Sequence, residues 1–276
     1  MPKRNFNWQI ASFFTIVTVM AGYGVWWEIH NFHLLTVLLA IAMYLLCGLS
    51  ITITYHRAGT HRAFKMKRWL WNATLVLSSG AVLLPFITWC RRHRDHHAFT
   101  DDPLRDPNCA RPGFWGFLDT HIWSVISSAY RDKPIDLTEV EDPMVRWQYR
   151  WYGPIAATVG FLLPVSLSAI WGDAMGGLLV ACGQRMFLQY NGAFAVNSAA
   201  HSLAFGSKPG GHWSSAVRVS WLPFGFLLAA LSLGEVLGHE RHHEKAQAWS
   251  TGVRGNFTDL VLRVMNRLGW VTLRES

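Results

Sequence analysis

The chain has 276 residues, 51% of them hydrophobic and only 15% charged, with 25 Lys and Arg against 17 Asp and Glu for a formal charge of +8. So few charges on so apolar a composition exclude a disordered chain, a collagen and a nucleic-acid-binding tail as the main theme, and point to a membrane protein. The length suits one membrane domain over residues 1–276, so any electron carrier is expected to be a separate protein.

A helix needs about 20 consecutive apolar residues to cross a bilayer core. Residues 10–27, 34–54, 69–89, 151–171, 176–196 and 219–238 approach that. The first stretch is long and no small-residue cleavage site follows it, so it reads as a retained span. Lys3 and Arg4 precede it, the connection Glu28–His33 has no Lys or Arg, and Arg57, Arg62, Lys65, Lys67 and Arg68 follow the second stretch. Basic residues stay on the cytoplasmic side, so these two spans form a hairpin with both ends cytoplasmic. Residues 151–171 and 176–196 repeat the pattern, with only Asp173 charged between them, Arg146 and Arg150 before and Lys208 after.

The two remaining stretches are decided by histidine. Nine of the 13 fall into four groups: His56 and His61; His93, His96 and His97; His201; and His239, His242 and His243. Groups that share one site must share one side of the membrane, yet 69–89 and 219–238 separate them. Those stretches are therefore expected to lie along the interface or to pack in the cap. The fold expected is an all-α membrane protein with four transmembrane helices in two hairpins. A cytoplasmic helical cap, about 55–145 and 197–276, carries the metal site, and both termini are cytoplasmic.

Within that cap, Pro103, Pro107, Pro112 and Gly113 mark an irregular loop after the second histidine group. Phe257, Leu260, Val261, Val264, Met265 and Leu268 recur at helical spacing, which predicts an amphipathic helix that seals the cap or lies on lipid. The sequons at Asn72 and Asn256 fall on the cytoplasmic side and are read as chance. Cys47, Cys90, Cys109 and Cys182 show no paired spacing, so neither a disulfide framework nor a cysteine metal site is expected.

His93, His96 and His97, like His239, His242 and His243, stand at i, i+3 and i+4, neighbours on one helix face, so each triplet can converge on metal. His56 and His61 are five apart, about 140 degrees round an ideal helix. Either the helix ends between them at Gly59, or they face two ions. Imidazole alone does not name the metal. Nine ring nitrogens, with Asn197 four residues before His201, exceed what one tetrahedral zinc takes and suit two higher-coordinate ions.

The segments His56-Arg-Ala-Gly-Thr-His61, Trp89-x-x-x-His93-Arg-Asp-His96-His97, Asn197-Ser-Ala-Ala-His201 and Gly234-Glu235 ahead of His239-Glu-Arg-His242-His243 resemble the histidine motifs of the membrane fatty-acyl desaturases, nearest the acyl-CoA, stearoyl-CoA delta-9 type. The resemblance covers about residues 48–243. It implies a di-iron site of two Fe2+ held by His56, His61, His93, His96, His97, His201, His239, His242 and His243, with Asn197 completing one shell through water. It also implies O2-dependent insertion of a cis double bond into a fatty acyl chain. Two electrons would come from an external donor of ferredoxin, rubredoxin or cytochrome b5 type. Trp89 and Phe194 take the places of channel aromatics. Arg91 and Arg111 match basic positions that could meet an acyl-CoA headgroup, and Arg92 could join them. The third motif departs from the pattern: it has one residue more after Gly234-Glu235, and Glu240 stands where Asn is common. Leu83 and Leu84 occupy the region of a family glutamine.

Two other chemistries compete. The same di-iron site could hydroxylate the chain or form an alkene. His239-Glu240-Arg241-His242-His243 also satisfies H-E-x-x-H, with His239 and His243 on zinc and Glu240 as base of a membrane metalloprotease. That assignment leaves seven clustered histidines unused.

Overall fold

A computed structural model describes residues 4–102, 104–109, 113–128, 130, 132–201 and 225–274. The described residues fold mostly into helices. Among the described residues three are long and apolar enough to cross a membrane: α1 (Trp8–Asn31), α2 (Leu34–Thr60) and, later in the chain, Tyr152–Ala169. They coincide with three of the four expected spans. The fourth, 176–196, lies inside one unbroken helical run made of Ala174–Gly176, Gly177–Gln184 and Arg185–Ser198. Gln184, Arg185, Gln189 and Asn191 keep this run out of the apolar set.

Small residues let the helices close on one another. A Cβ on Gly183 would stand 2.6 Å from the Met20 Cβ of α1, so the fourth run and α1 touch almost backbone to backbone. At the far ends of the hairpins, Asp173 accepts hydrogen bonds from Thr36 Oγ1 at 2.6 Å, Trp27 Nε1 at 3.0 Å and the Gly176 amide at 3.0 Å. One buried carboxylate thus caps a helix and ties both hairpins together.

Residues 69–89 do not form one helix. Here α3 (Arg68–Ser79) stops, Val82 and Leu84 take φ of 55° and 83°, and α4 (Phe86–Ala98) starts behind Pro85. Each helix is too short to span, and the reversal brings His93 of α4 beside His61. Of 219–238 the described part is the short α-helix Gly225–Leu231 followed by turns. Further along the chain, α5 (Gly113–Leu118) runs into a π turn, and Asp142 caps α6 (Pro143–Arg150) by accepting from the Met144 and Val145 amides. We number α7 as Tyr152–Ala169, α8 as the run from Ala174 to Ser198, α9 as Gly225–Leu231 and α10 as His239–Glu244.

Two short antiparallel pairings join segments distant in the chain. Strand β1 (Asn5–Phe6) pairs with Ser127–Ser128, and β2 (Phe64–Met66) pairs with Val271–Leu273 in the register Phe64 to Leu273 and Met66 to Val271. The predicted amphipathic helix is present as α11 (Phe257–Arg267), capped by Asn256, whose side chain accepts from the Asp259 amide. Asn256 is buried there. The burial of α11 differs from a simple apolar-in pattern. Thr258, Asp259 and Leu262 are the buried side, whereas Phe257, Leu260, Val264 and Leu268 are exposed. Polar groups win the inner face because they have partners. Thr258 donates to the Leu233 carbonyl, and Asp259 accepts from Arg57.

Candidate metal centre

Helix α2 changes its hydrogen bonding where the first histidines begin. Ile51–Thr60 is π-helical, and the His61 amide donates to the His56 carbonyl five residues back at 3.2 Å. Five residues is one hydrogen-bond period of a π-helix, so His56 and His61 share a face, with ring centroids 5.0 Å apart. Both expected alternatives are corrected by this. The helix does not end at Gly59, and the two rings do not face different sites. Gly59 is needed for the turn to pack, because a Cβ there would lie 2.4 Å from Phe86 Cε2 and 2.9 Å from the Thr54 carbonyl. Gly59→Ala is therefore expected to cost about 1–3 kcal/mol and to splay the two rings. Metal per chain in the monodisperse fraction checks it, and wild-type loading would count against the π turn as the device that aims them.

The nine histidines make two adjoining clusters. In the first, Nε2 atoms stand 2.8 Å apart for His56 and His242, 3.1 Å for His61 and His93, and 3.2 Å for both His93 with His97 and His97 with His242. In the second, the separations are 3.2 Å for His96 and His201, 2.7 Å for His201 and His239, and 3.2 Å for His239 and His243. The triplets thus do not each converge on one ion, as their shared face suggested. On each helix the i and i+4 rings go to one cluster and the i+3 ring to the other. The face is wide enough to straddle both, and α4 and α10 use it in opposite senses. The stacked His97 and His243 rings, 4.2 Å apart, join the clusters.

Neutral imidazoles fit this arrangement only with a cation between them. Metal–nitrogen distances of about 2.0–2.1 Å bring neighbouring donors to about 3 Å, as found in both clusters, whereas lone pairs facing one another without an ion repel. Burial, reinforced by His56 and Arg94, holds His61 down to about 2, and burial with His96 and His56 takes His239 down to about 3. Burial also depresses His93, His201 and His242 well below the ordinary value. These rings stay neutral with lone pairs available.

One ring in each cluster is fixed from behind by a carboxylate. His56 Nδ1 lies 2.8 Å from Glu235 Oε2, and His96 Nδ1 lies 2.9 Å from Asp106 Oδ1. Each contact leaves the other nitrogen, Nε2, facing the cluster. The two carboxylates are held differently. Glu235 receives the Arg57 guanidinium at 2.6 Å, while Asp106 accepts from the Asp101 and Asn108 amides, both at 2.8 Å. Burial pushes Glu235 up, but Arg57 and His56 outweigh it and hold the carboxyl down to about 2. Burial likewise opposes charge on His96, and Asp106 more than offsets it, so that ring is raised. Glu235 was noticed in the sequence only as part of a motif, and Asp106 not at all. Its place in a loop ten residues after His96 carries no periodic signal.

A cavity of about 430 Å³ adjoins the first cluster, and His56 and His93 line it with Trp89, Phe194 and Asn197. Trp89 stacks on His93 with centroids 4.8 Å apart. The wall is largely apolar, with Ile10, Phe13, Phe14, Ile51, Val82, Leu83 and Leu84 along it. Arg92 lines the cavity and donates to Asp132, whereas Arg91 donates to the carbonyls of Lys133 and Pro134 at 3.0 and 2.8 Å. Arg111 lies outside the described residues. Glu240 stands beside His239 on α10, but His239 and His243 share their cluster with His96 and His201. An ion there would already meet four imidazoles, where a zinc hydrolase keeps a position open.

Residues 31–214, well over half of the 276, match the model of the family described as fatty acid desaturase. Among curated relatives, a probable acyl-CoA desaturase of Schizosaccharomyces pombe is 31% identical over 91% of this chain and 50% of its own length. An acyl-CoA Delta(11) desaturase of Trichoplusia ni is 29% identical over 93% of this chain and 72% of its own. For an acyl-CoA Delta-9 desaturase of Acheta domesticus the identity is 27%, over 97% and 74%. The chain thus spans about half the length of the first of these and about three quarters of the other two. With its histidine motifs folded into one buried centre beside an apolar cavity, the chain belongs to the fatty acid desaturase family.

Proposed function

We propose that this protein is an O2-dependent di-iron desaturase that introduces a cis double bond into a fatty acyl chain presented as its CoA thioester. The observation that carries the reading is the pair of histidine clusters, five rings and four, beside a cavity whose wall is apolar. His56, His61, His93, His97 and His242 hold one iron. His96, His201, His239 and His243 hold the other, and Asn197, one helical turn before His201, completes that shell through water. Two irons supply oxidising equivalents from O2 and two externally delivered electrons, from a ferredoxin, rubredoxin or cytochrome b5 type donor.

The chain's own residues do the positioning. Trp89 and Phe194 confine the acyl chain, and the apolar wall keeps water from the reacting methylenes. Glu235 and Asp106 fix the tautomers of His56 and His96. Arg91 and Arg111, with Arg92 at the cavity, meet the phosphates of the carrier. Four membrane spans, α8 included, set the centre in a cytoplasmic cap. Arg185 within α8 is shielded from lipid, and the exposed apolar stripe of α11 rests on the bilayer surface.

The names of the relatives favour acyl-CoA over other carriers and desaturation over hydroxylation or alkene formation. The test is metal analysis of detergent-purified protein together with lipid products from octadecanoyl-CoA, O2 and a reduced ferredoxin. About two irons per chain and a cis monoene are expected. A hydroxylated product would move the assignment to a hydroxylase, and a single zinc would overturn the di-iron reading.

A further inference from the structure

The same cavity reaches past the metal clusters into the membrane-spanning region, and its wall there is not uniformly apolar. Gly48 stands eight residues before His56 on α2, and Gln189 eight residues before Asn197 on α8. On α8 that is about 12 Å deeper than the metal motif, and on α2, part of which is π-helical, somewhat less. Both residues line the cavity. Gln189 is 5% exposed, and its Oε1 accepts from Arg185 Nη1 at 3.1 Å. A guanidinium can only donate, so this contact fixes which end of the amide is oxygen. The amide nitrogen Nε2 is left buried, with two N–H groups and no acceptor. It lies 3.3 Å from where a Cβ on Gly48 would stand, which places it against the opposite wall of the cavity.

Arg185 is held rigidly behind this amide. Its other acceptors are the Gly80 carbonyl at 2.8 Å, the Gly160 carbonyl at 3.0 Å and the Ala181 carbonyl at 3.3 Å, none of them a carboxylate. An ionisable residue this deep in the helical bundle calls for a role, and orienting the amide gives it one. A saturated hydrocarbon tail has nothing to offer Nε2, and a buried donor without an acceptor is costly.

We propose that the deep end of the cavity recognises an oxygen on the distal part of the acyl chain, a hydroxyl or keto group that accepts from Gln189 Nε2. The preferred substrates are then chains already oxygenated near their methyl end. This rests on the acyl-chain reading of the cavity given above and deepens it.

The test compares octadecanoyl-CoA with ω-hydroxyoctadecanoyl-CoA on the purified full-length protein, by thermal stabilisation and by competition in turnover. Wild type is expected to favour the oxygenated chain by at least about tenfold in both. Gln189→Met, similar in size but without a donor, is expected to bring the two within about twofold. Should that variant fail to fold, Gly48→Ala serves. Its Cβ would meet Leu233 Cδ1 at 2.8 Å and crowd the amide from the other side, with the same loss of preference expected. Equal binding of the two chains by wild type, or a preference that survives in the variant, overturns the proposal. Octadecanoyl-CoA desaturated normally with no preference sinks this proposal alone. Preferential stabilisation without desaturation of either chain sinks the desaturase reading instead.

Discussion

Changing His242 to alanine is expected to remove one metal ion from each chain, and changing its neighbour His243 is expected to remove the other. His242 contributes Nε2 to the cluster of His56, His61, His93 and His97, while His243 belongs with His96, His201 and His239. Two adjacent residues thus serve opposite clusters because the face of α10 straddles them. Each single variant should retain about one metal per chain and lose more than about 10³-fold in activity. The double variant should retain almost no metal and yet be no less active than either single variant, since residues that act as a unit do not add. Metal analysis of purified protein with Co2+ as a spectroscopic probe would separate the two sites. If either variant alone empties both, the clusters are a single cooperative unit and the division drawn here is wrong.

The second large effect concerns Arg57. Its guanidinium donates to Glu235 at 2.6 Å, to the Trp249 carbonyl at 2.6 Å and to Asp259, and Arg57 and both carboxylates are buried. Arg57→Met would leave two carboxylates buried without their cation. Breaking such a group by removing one partner costs about 3–5 kcal/mol, against about 5–15 kcal/mol for a whole domain. A steep loss of detergent-extractable, monodisperse protein is expected. Adding Asp259→Asn to Arg57→Met should recover part of the loss, because one of the two orphaned charges is gone. Melting temperatures of the single and double variants decide the matter, and a double variant no better than the single would mean that packing, not charge, is what Arg57 provides.

Much of this centre was legible before any coordinates. The four histidine groups had to meet, and that requirement argued against a crossing at 69–89, where the structure has two short helices instead of the one that hydropathy suggests. The pairing of rings was not legible, because an i, i+3, i+4 triplet presents a face too broad to say which ring turns to which ion. The spacing of His56 and His61 did hold the answer, since five residues suit a π-helix, but π-helices are rare enough that an ideal α-helix was the default. Asp106 was hidden for a different reason. Loop carboxylates are common, and only the fold brings this one to His96. The inner face of α11 was not legible from its apolar stripe, because Thr258 and Asp259 look solvent-seeking until Leu233 and Arg57 are found beside them.

The β2 pairing with Val271–Leu273, together with the contact of Arg57 with Asp259, has a consequence for biosynthesis. The first histidine motif is braced by a strand and a helix that leave the ribosome some 200 residues later, and the last histidines of the centre, on α10, emerge only shortly before them. The finished centre cannot form until the segments around Asp259 and Val271–Leu273 have been made. A metal held at the centre is therefore taken up only after these late segments are in place, so that supply of the metal and synthesis of the first histidine motif are separate events, and protein made without the metal is expected to remain competent to be loaded afterwards.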